Sequence, residues 1–200
     1  MKRPAKLAAL VFIAVLVAGA TLIAGCEASV STSTGGTTNY SNDEYGFSFD
    51  LANRFEEDDS ALASQSTGNS AFNVGFFDPD GARAGGKALD GMLVSVYVLQ
   101  QEITPDLMPA LKSELETALE QLTASDSSVE MQPLTETTIN GVPGYKTDYT
   151  MDMSDTPVQA RTYFLVKGTT EYQITIQSSQ ENWSKNEPDL QKAVDSFTVK

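Results

Sequence analysis

An α+β domain, with a mainly antiparallel sheet layered against helices, is the fold class that this 200-residue sequence predicts. Three observations predict it. Asn140-Gly141 stands between two extended runs, a strong short-range hairpin signal. Leu107, Leu111, Leu115, Leu119 and Leu122 recur at helical spacing after Thr104-Pro105, an N-cap followed by proline at the first helical position. Helical patterns fall between groups of strands and not between each pair, which separates the chain from a parallel α/β sheet.

Taken in order, the chain begins with Lys2, Arg3 and Lys6, an apolar run over 7–23, the small pair Ala24-Gly25, and Cys26, its only cysteine. This is the pattern of a secretory signal peptide. Its ending resembles a bacterial lipobox, in which Cys26 becomes the lipid-modified first residue. An apolar run of about 17 residues is at the lower limit for spanning a bilayer, and the small pair before Cys26 favours processing over a permanent membrane helix. Residues 28–39 are rich in Ser, Thr and Gly without an apolar period and read as a flexible tether. The expected division is a leader over 1–25, lipidated Cys26 with its tether over 26–39, and one domain over 40–200, long enough for a core of its own.

Within the domain, 45–49 alternates as a short strand and 71–77 reads as a second. Residues 92–99 are apolar on both parities apart from Ser95, as in a central strand covered on both faces. After the leucine-spaced helix, 128–138 and 144–153 flank the Asn-Gly turn, and 158–167 turns at Gly168 into 171–178. In that last strand Tyr172, Ile174 and Ile176 share one face, with Gln173, Thr175 and Gln177 on the other. Pro188 is expected to open a short final helix with Leu190, Ala193 and Val194 on its apolar side, and Phe197 and Val199 suit a short edge strand. Residues 60–70 and 78–91 read as loops.

The charge balance is 13 basic against 27 acidic residues, and the leader holds three of the former and none of the latter. The domain therefore repels nucleic acid and anionic headgroups, so that acyl chains must hold it to a membrane. Such a surface attracts cations or a basic partner. With no histidine and one cysteine, Ser-His-Asp and Cys-His catalysis is excluded, as is a disulfide within the chain. No lysine follows a serine at Ser-x-x-Lys spacing. No enzyme is expected, and no catalytic residue is assigned.

Two acidic patches are candidate cation sites: Glu56-Glu57-Asp58-Asp59, and Asp78-Pro79-Asp80-Gly81 with Asp90 further on. Both could bind a hard cation; calcium takes six to eight oxygens, so a carboxylate cluster in a loop is a chemically fair candidate for it. Neither patch has the spacing of a known calcium loop. The plainer readings, which are favoured, are a solvated acidic turn for the first and an Asx-type turn for the second. No other cofactor is expected. Trp183 reads as a packing cap over the sheet edge. Tyr145 and Tyr149 share a strand face with Thr147 and Met151 and read as half-buried sheet.

A family resemblance rests on several of these stretches. Tyr45-Gly46-Phe47-Ser48-Phe49, Ile139-Asn140-Gly141-Val142-Pro143-Gly144-Tyr145, Tyr163-Phe164-Leu165-Val166, and the ending Tyr172-Gln173-Ile174-Thr175, Trp183 and Val194-Asp195-Ser196-Phe197 resemble PsbP-like domains in content and order. The family's Pro-x-x-Trp after the first strand is replaced here by Leu51-Ala52-Asn53-Arg54-Phe55. The resemblance implies an antiparallel sheet between helical layers, an α/β/α sandwich, over 40–200. It implies no particular function, because fold does not fix function.

The reading that follows is a lipid-anchored protein on the extracytoplasmic face of the cell membrane. It is expected to be a non-catalytic accessory or binding module that docks on another envelope protein, with no nucleic-acid partner. The alternative is a lipoprotein that binds a small ligand or calcium. A flat apolar patch rimmed by acids would favour the first, and an unusually large pocket with convergent polar groups the second.

Overall fold

The computed structural model describes residues 28–32, 36–58 and 70–200. The leader, Cys26 and Asp59 lie outside them. Strands β1 (Ala28–Thr32), β2 (Thr37–Asn42), β3 (Phe47–Ala52), β4 (Glu56–Glu57), β5 (Phe72–Phe77), β6 (Arg83–Ala84), β7 (Lys87–Ala88) and β8 (Gly91–Val98) come first. A 3₁₀ turn over Pro105–Leu107 leads into α1 (Met108–Ser125). There follow β9 (Glu130–Met131), β10 (Thr135–Ile139), β11 (Val142–Met153), β12 (Thr156–Lys167), β13 (Thr170–Ser179), α2 (Trp183–Ser196) and β14 (Thr198–Val199).

The strands form an eight-stranded sheet in the order β10-β11-β12-β13-β8-β5-β4, with β9 also on β11, a four-stranded sheet β1-β2-β3-β14, and the small hairpin β6-β7. Every pairing is antiparallel. The expected α+β class with a mainly antiparallel sheet is what the chain adopts. The meander β10 to β13 turns three times on two residues. Asn140-Gly141 and Ser154-Asp155 both have two positive φ angles, and Gly168-Thr169 has one, at Gly168 (φ 63°). These are the primed turns whose twist matches a hairpin. At Gly144, a Cβ would fall 2.1 Å from the carbonyl oxygen of Phe164, so only glycine lets β11 lie this close to β12.

Strand β8 lies between β5 and β13, and all of it but Val98 is buried, as its apolar run on both parities predicts. Met92, Val94 and Val96 join Tyr172, Ile174 and Ile176 in the main core, which α2 and the four-stranded sheet close. Aromatic rings fill that layer: Tyr40 stacks on Phe49 at 5.3 Å, Phe47 on Phe197 at 5.5 Å, and Phe76 meets Phe49 edge-on at 5.6 Å. Pairs at these separations add to the burial of the rings themselves. On the opposite face, α1 sets Leu111 and Leu115 against Tyr145, Phe164 and Val166. The β6-β7 hairpin brings Ala84, with Leu89 beyond it, over Met151 and Val158.

Three expectations are corrected. Residues 28–39 are not a flexible tether over their described part: β1 pairs with β2, Ala28 opposite Asn42 and Thr32 opposite Thr38. A polar edge hairpin needs no apolar period, and threonine suits a strand, so the composition conceals it. Segment 78–91 contains the β6-β7 hairpin and is not a plain loop. Helix α2 starts at Trp183, and Pro188 lies inside it. Lys185 and Asn186 both donate their backbone N–H to the Asn182 carbonyl, so the first turn closes before the proline arrives. The carbonyl that Pro188 leaves unserved belongs to Ser184, which is exposed to solvent.

Candidate functional site

The sequence-predicted acidic residues have separate fates. Glu56 and Glu57 are exposed neighbours on β4, and adjacent strand residues point to opposite faces, so their carboxylates diverge. Asp58 gives its backbone N–H to the Gly75 carbonyl. Asp78 is buried. Its Oδ2 accepts from Arg54 Nη1 at 2.9 Å and its Oδ1 from the Asp80 backbone N–H at 3.0 Å, which is the Asx-type turn. Asp80 itself is exposed. Among the described residues, no group of three or more acidic or cysteine side chains is placed to hold a metal ion. The structure therefore does not bring the Glu56–Asp58 acids and the Asp78–Asp80 acids together into a ligand set.

What Asp78 and Asp90 do join is a chain of hydrogen bonds through the protein. Arg54 Nη1 also donates to Asn186 Oδ1 at 2.9 Å. Asn186 Nδ2 donates to Ser178 Oγ at 3.0 Å, and Ser178 Oγ donates to Asp90 Oδ1 at 2.8 Å. Asp90 accepts three more: from the Ser179 backbone at 2.9 Å, the Ala82 backbone at 3.0 Å and Asn182 Nδ2 at 2.7 Å. Burial works to raise the Asp90 pKa, but these donors together hold it below the ordinary carboxylate range. The network ties the residues after β3, the 78–91 segment, the end of β13 and the first turns of α2. Its role is architectural. Arg54 completes it by lying over the Phe55 ring, 4.2 Å from its centroid.

Two further polar groups were not foreseen. Glu171 is fully buried on β13, directly across from Tyr97 on β8 and Val166 on β12. Burial pushes its pKa up to about 7, against one bond from Gln173 Nε2 to Oε1 at 2.8 Å. Its Oε2 has no hydrogen-bond partner among the described residues. The signal was the strand's alternation, which puts Glu171 in phase with Gln173, Thr175 and Gln177. On the other face, Arg161 donates Nε to Asp148 at 2.7 Å and Nη1 to Glu187 and Gln191 at 3.0 and 2.8 Å. Gln191 also accepts the Tyr163 hydroxyl at 2.7 Å. This arrangement pins α2 to β11 and β12. Tyr145 is buried under α1, as expected for sheet, and its hydroxyl donates to the Met108 carbonyl at 2.9 Å. Trp183 packs against the main core, as expected for a cap.

The surface feature that remains is a groove along α1. The helix runs one way, and the segment from β9 to β10 returns beside it. Two open clefts lie between them. One is bounded by Glu116, Leu119 and Glu120 of α1 and by Met131 to Leu134. The other lies between Pro105, Met108 and Pro109 at the start of α1 and Glu136 to Thr138 of β10, with Tyr145 on its floor. Leu119, Met131, Leu134 and Met108 make an apolar base, and every charged residue lining either cleft is a glutamate. The Tyr145 pKa is raised by burial and further by Glu136 and Glu116, which registers the negative potential there. Strand β10 is the outermost strand of its sheet. No helix among the described residues is long and apolar enough to cross a membrane.

Comparisons with known proteins agree with this architecture. The solution structure of cyanobacterial PsbP from Synechocystis matches at TM-score 0.51 and 14% identity, covering 85% of this chain and 98% of that one. A Pseudomonas aeruginosa protein of unknown function, described as a putative regulator, matches at TM-score 0.51 and 12% identity over 83% and 99% of the two chains. LpqN of Mycobacterium tuberculosis, described as involved in cell envelope biogenesis, matches at TM-score 0.52 and 8% identity over 86% and 90%. At these identities the likeness concerns the fold. No curated protein matches the sequence. The sequence itself matches the PsbP-like protein family over residues 9–199, nearly its whole length, and the chain belongs to that family.

Proposed function

We propose that this PsbP-like protein is a non-catalytic accessory module that docks on another protein of the cell envelope, held at the extracytoplasmic face of the membrane by lipid on Cys26. The observation that carries the reading is the groove along α1: open, apolar at its base and with glutamates as its only charged lining residues, a surface suited to docking a partner. The acidic composition supports it, because a chain of formal net charge -14, with three of its 13 basic residues in the leader, is steered toward basic partners. LpqN, a protein of the same fold, is involved in cell envelope biogenesis, which is consistent with it. The lipid anchor rests on the leader and on the small pair before Cys26. Crosslinking in native envelopes, with a Cys26→Ser form as control, tests both parts. The expected result is one recurrent envelope protein crosslinked to the wild type, and release of the Cys26→Ser form from the membrane. A Cys26→Ser form that stays anchored would remove the lipid, and a well-expressed wild type with no recurrent partner would remove the docking.

A further inference from the structure

We infer that the groove along α1 binds an extended basic segment of the partner, with lysines or arginines flanking an apolar anchor; this rests on the docking reading above and names its site. Three independent features define that occupant. The base of the groove is apolar, with Leu119, Met131 and Leu134 in one cleft and Met108 in the other, so an apolar side chain gains by entering. Glu116, Glu120 and Glu136 are exposed on both walls, and neither cleft is lined by a lysine or arginine. Lys112 of α1 lies in an exposed pair with Glu116 at 3.6 Å, a contact of the weak surface kind that a better-placed partner displaces. Third, β10 is the outermost strand of its sheet and borders the groove, so an extended main chain can pair along its five residues. A helix would use the apolar base but leave that strand edge unpaired, whereas an extended segment uses the base, the rim and the edge together.

The test titrates the full chain, in non-ionic detergent, with a fluorescein-labelled octapeptide, Lys-Thr-Lys-Leu-Lys-Val-Lys-Thr, and with its counterpart bearing glutamate in place of each lysine. The lysine peptide is expected to bind and the glutamate peptide to fail. Glu116→Gln, Glu120→Gln and Glu136→Gln together should weaken binding about tenfold, since each exposed pair contributes a few tenths to one kcal/mol. A Glu56→Gln, Glu57→Gln control, which removes two charges against three, should change it less than about twofold. Equal weakening in the control would mean that the peptide reads overall charge, and no binding of the lysine peptide would equally overturn the proposal. Photocrosslinkers at Thr123 and Thr138 in the groove and at Lys185 on α2 separate this failure from that of the docking reading. Envelope crosslinks from Lys185 alone leave docking intact and refute the groove; crosslinks from none of the three refute both.

Discussion

Asp90, in the 78–91 segment, lies against one end of β13, and Glu171 near the other, between Tyr97 and Val166. Solvent reaches neither: they are 1% and 0% exposed. Asp90 accepts four hydrogen bonds, and its charged form is favoured in spite of burial. Glu171 accepts one, from Gln173, and its neutral form is favoured up to about pH 7. The difference shows that depth does not decide the charge of a buried carboxylate. The number of donors that the fold aims at it does.

Breaking the comparison at the Asp90 end should have the largest effect. Asp90→Ala orphans two backbone N–H groups and two side chains in the interior, and should cost about 3–5 kcal/mol in denaturant titrations. At the other end the sign reverses. Glu171→Gln removes only a charge that burial disfavours, so at pH 8 it should stabilise the domain by about 3 kcal/mol, shrinking to nothing near pH 4. The pH dependence of the wild type follows from the two directions. The raised pKa of Glu171 means that its contribution is fully present below the ordinary value of 4.5 and is lost as pH rises through about 7. The lowered pKa of Asp90 means that its contribution is present above 3.8 and lost as pH falls below it. Stability curves of the two variants against pH should therefore depart from wild type in opposite regions, and coincident curves would refute the contrast. The smallest effect tests how far the Asp90 network reaches. Arg54→Lys keeps the charge but cannot serve Asp78 and Asn186 with one rigid fork, and should cost about 1–2 kcal/mol by thermal denaturation, most of it already lost in an Asp90→Ala background.

Much of the fold was legible because the signals were local. The leucine spacing of α1, the Asn140-Gly141 turn and the two-sided apolar run of β8 each follow from backbone periodicity or from one residue's tolerance of positive φ. The β11-β12 turn was less visible, because Ser154-Asp155 makes it without glycine. The β1-β2 hairpin carried no apolar alternation at all. Asp78 and Asp90 could be singled out as acidic residues, but not as network members, because their partners Arg54, Ser178, Asn182 and Asn186 are distant in sequence. The groove was beyond reach for the same reason: it exists only where the β9-β10 segment folds back along α1.

The pairing of β3 with β14 has a kinetic consequence. Ser48 and Thr198 meet although they are 150 positions apart, whereas β10 to β13 double back through turns of two residues. Closing a long loop costs more entropy before any contact rewards it, so the meander should assemble first and the β3-β14 pairing last. The aromatic layer depends on that late step, since Phe197 completes the stack on Phe47 and Phe49. Ile174→Val in the meander is expected to slow folding, and Phe197→Leu chiefly to hasten unfolding. Stopped-flow rates of the two variants would show whether β3 and β14 are the clasp that fastens the domain after its sheet has formed.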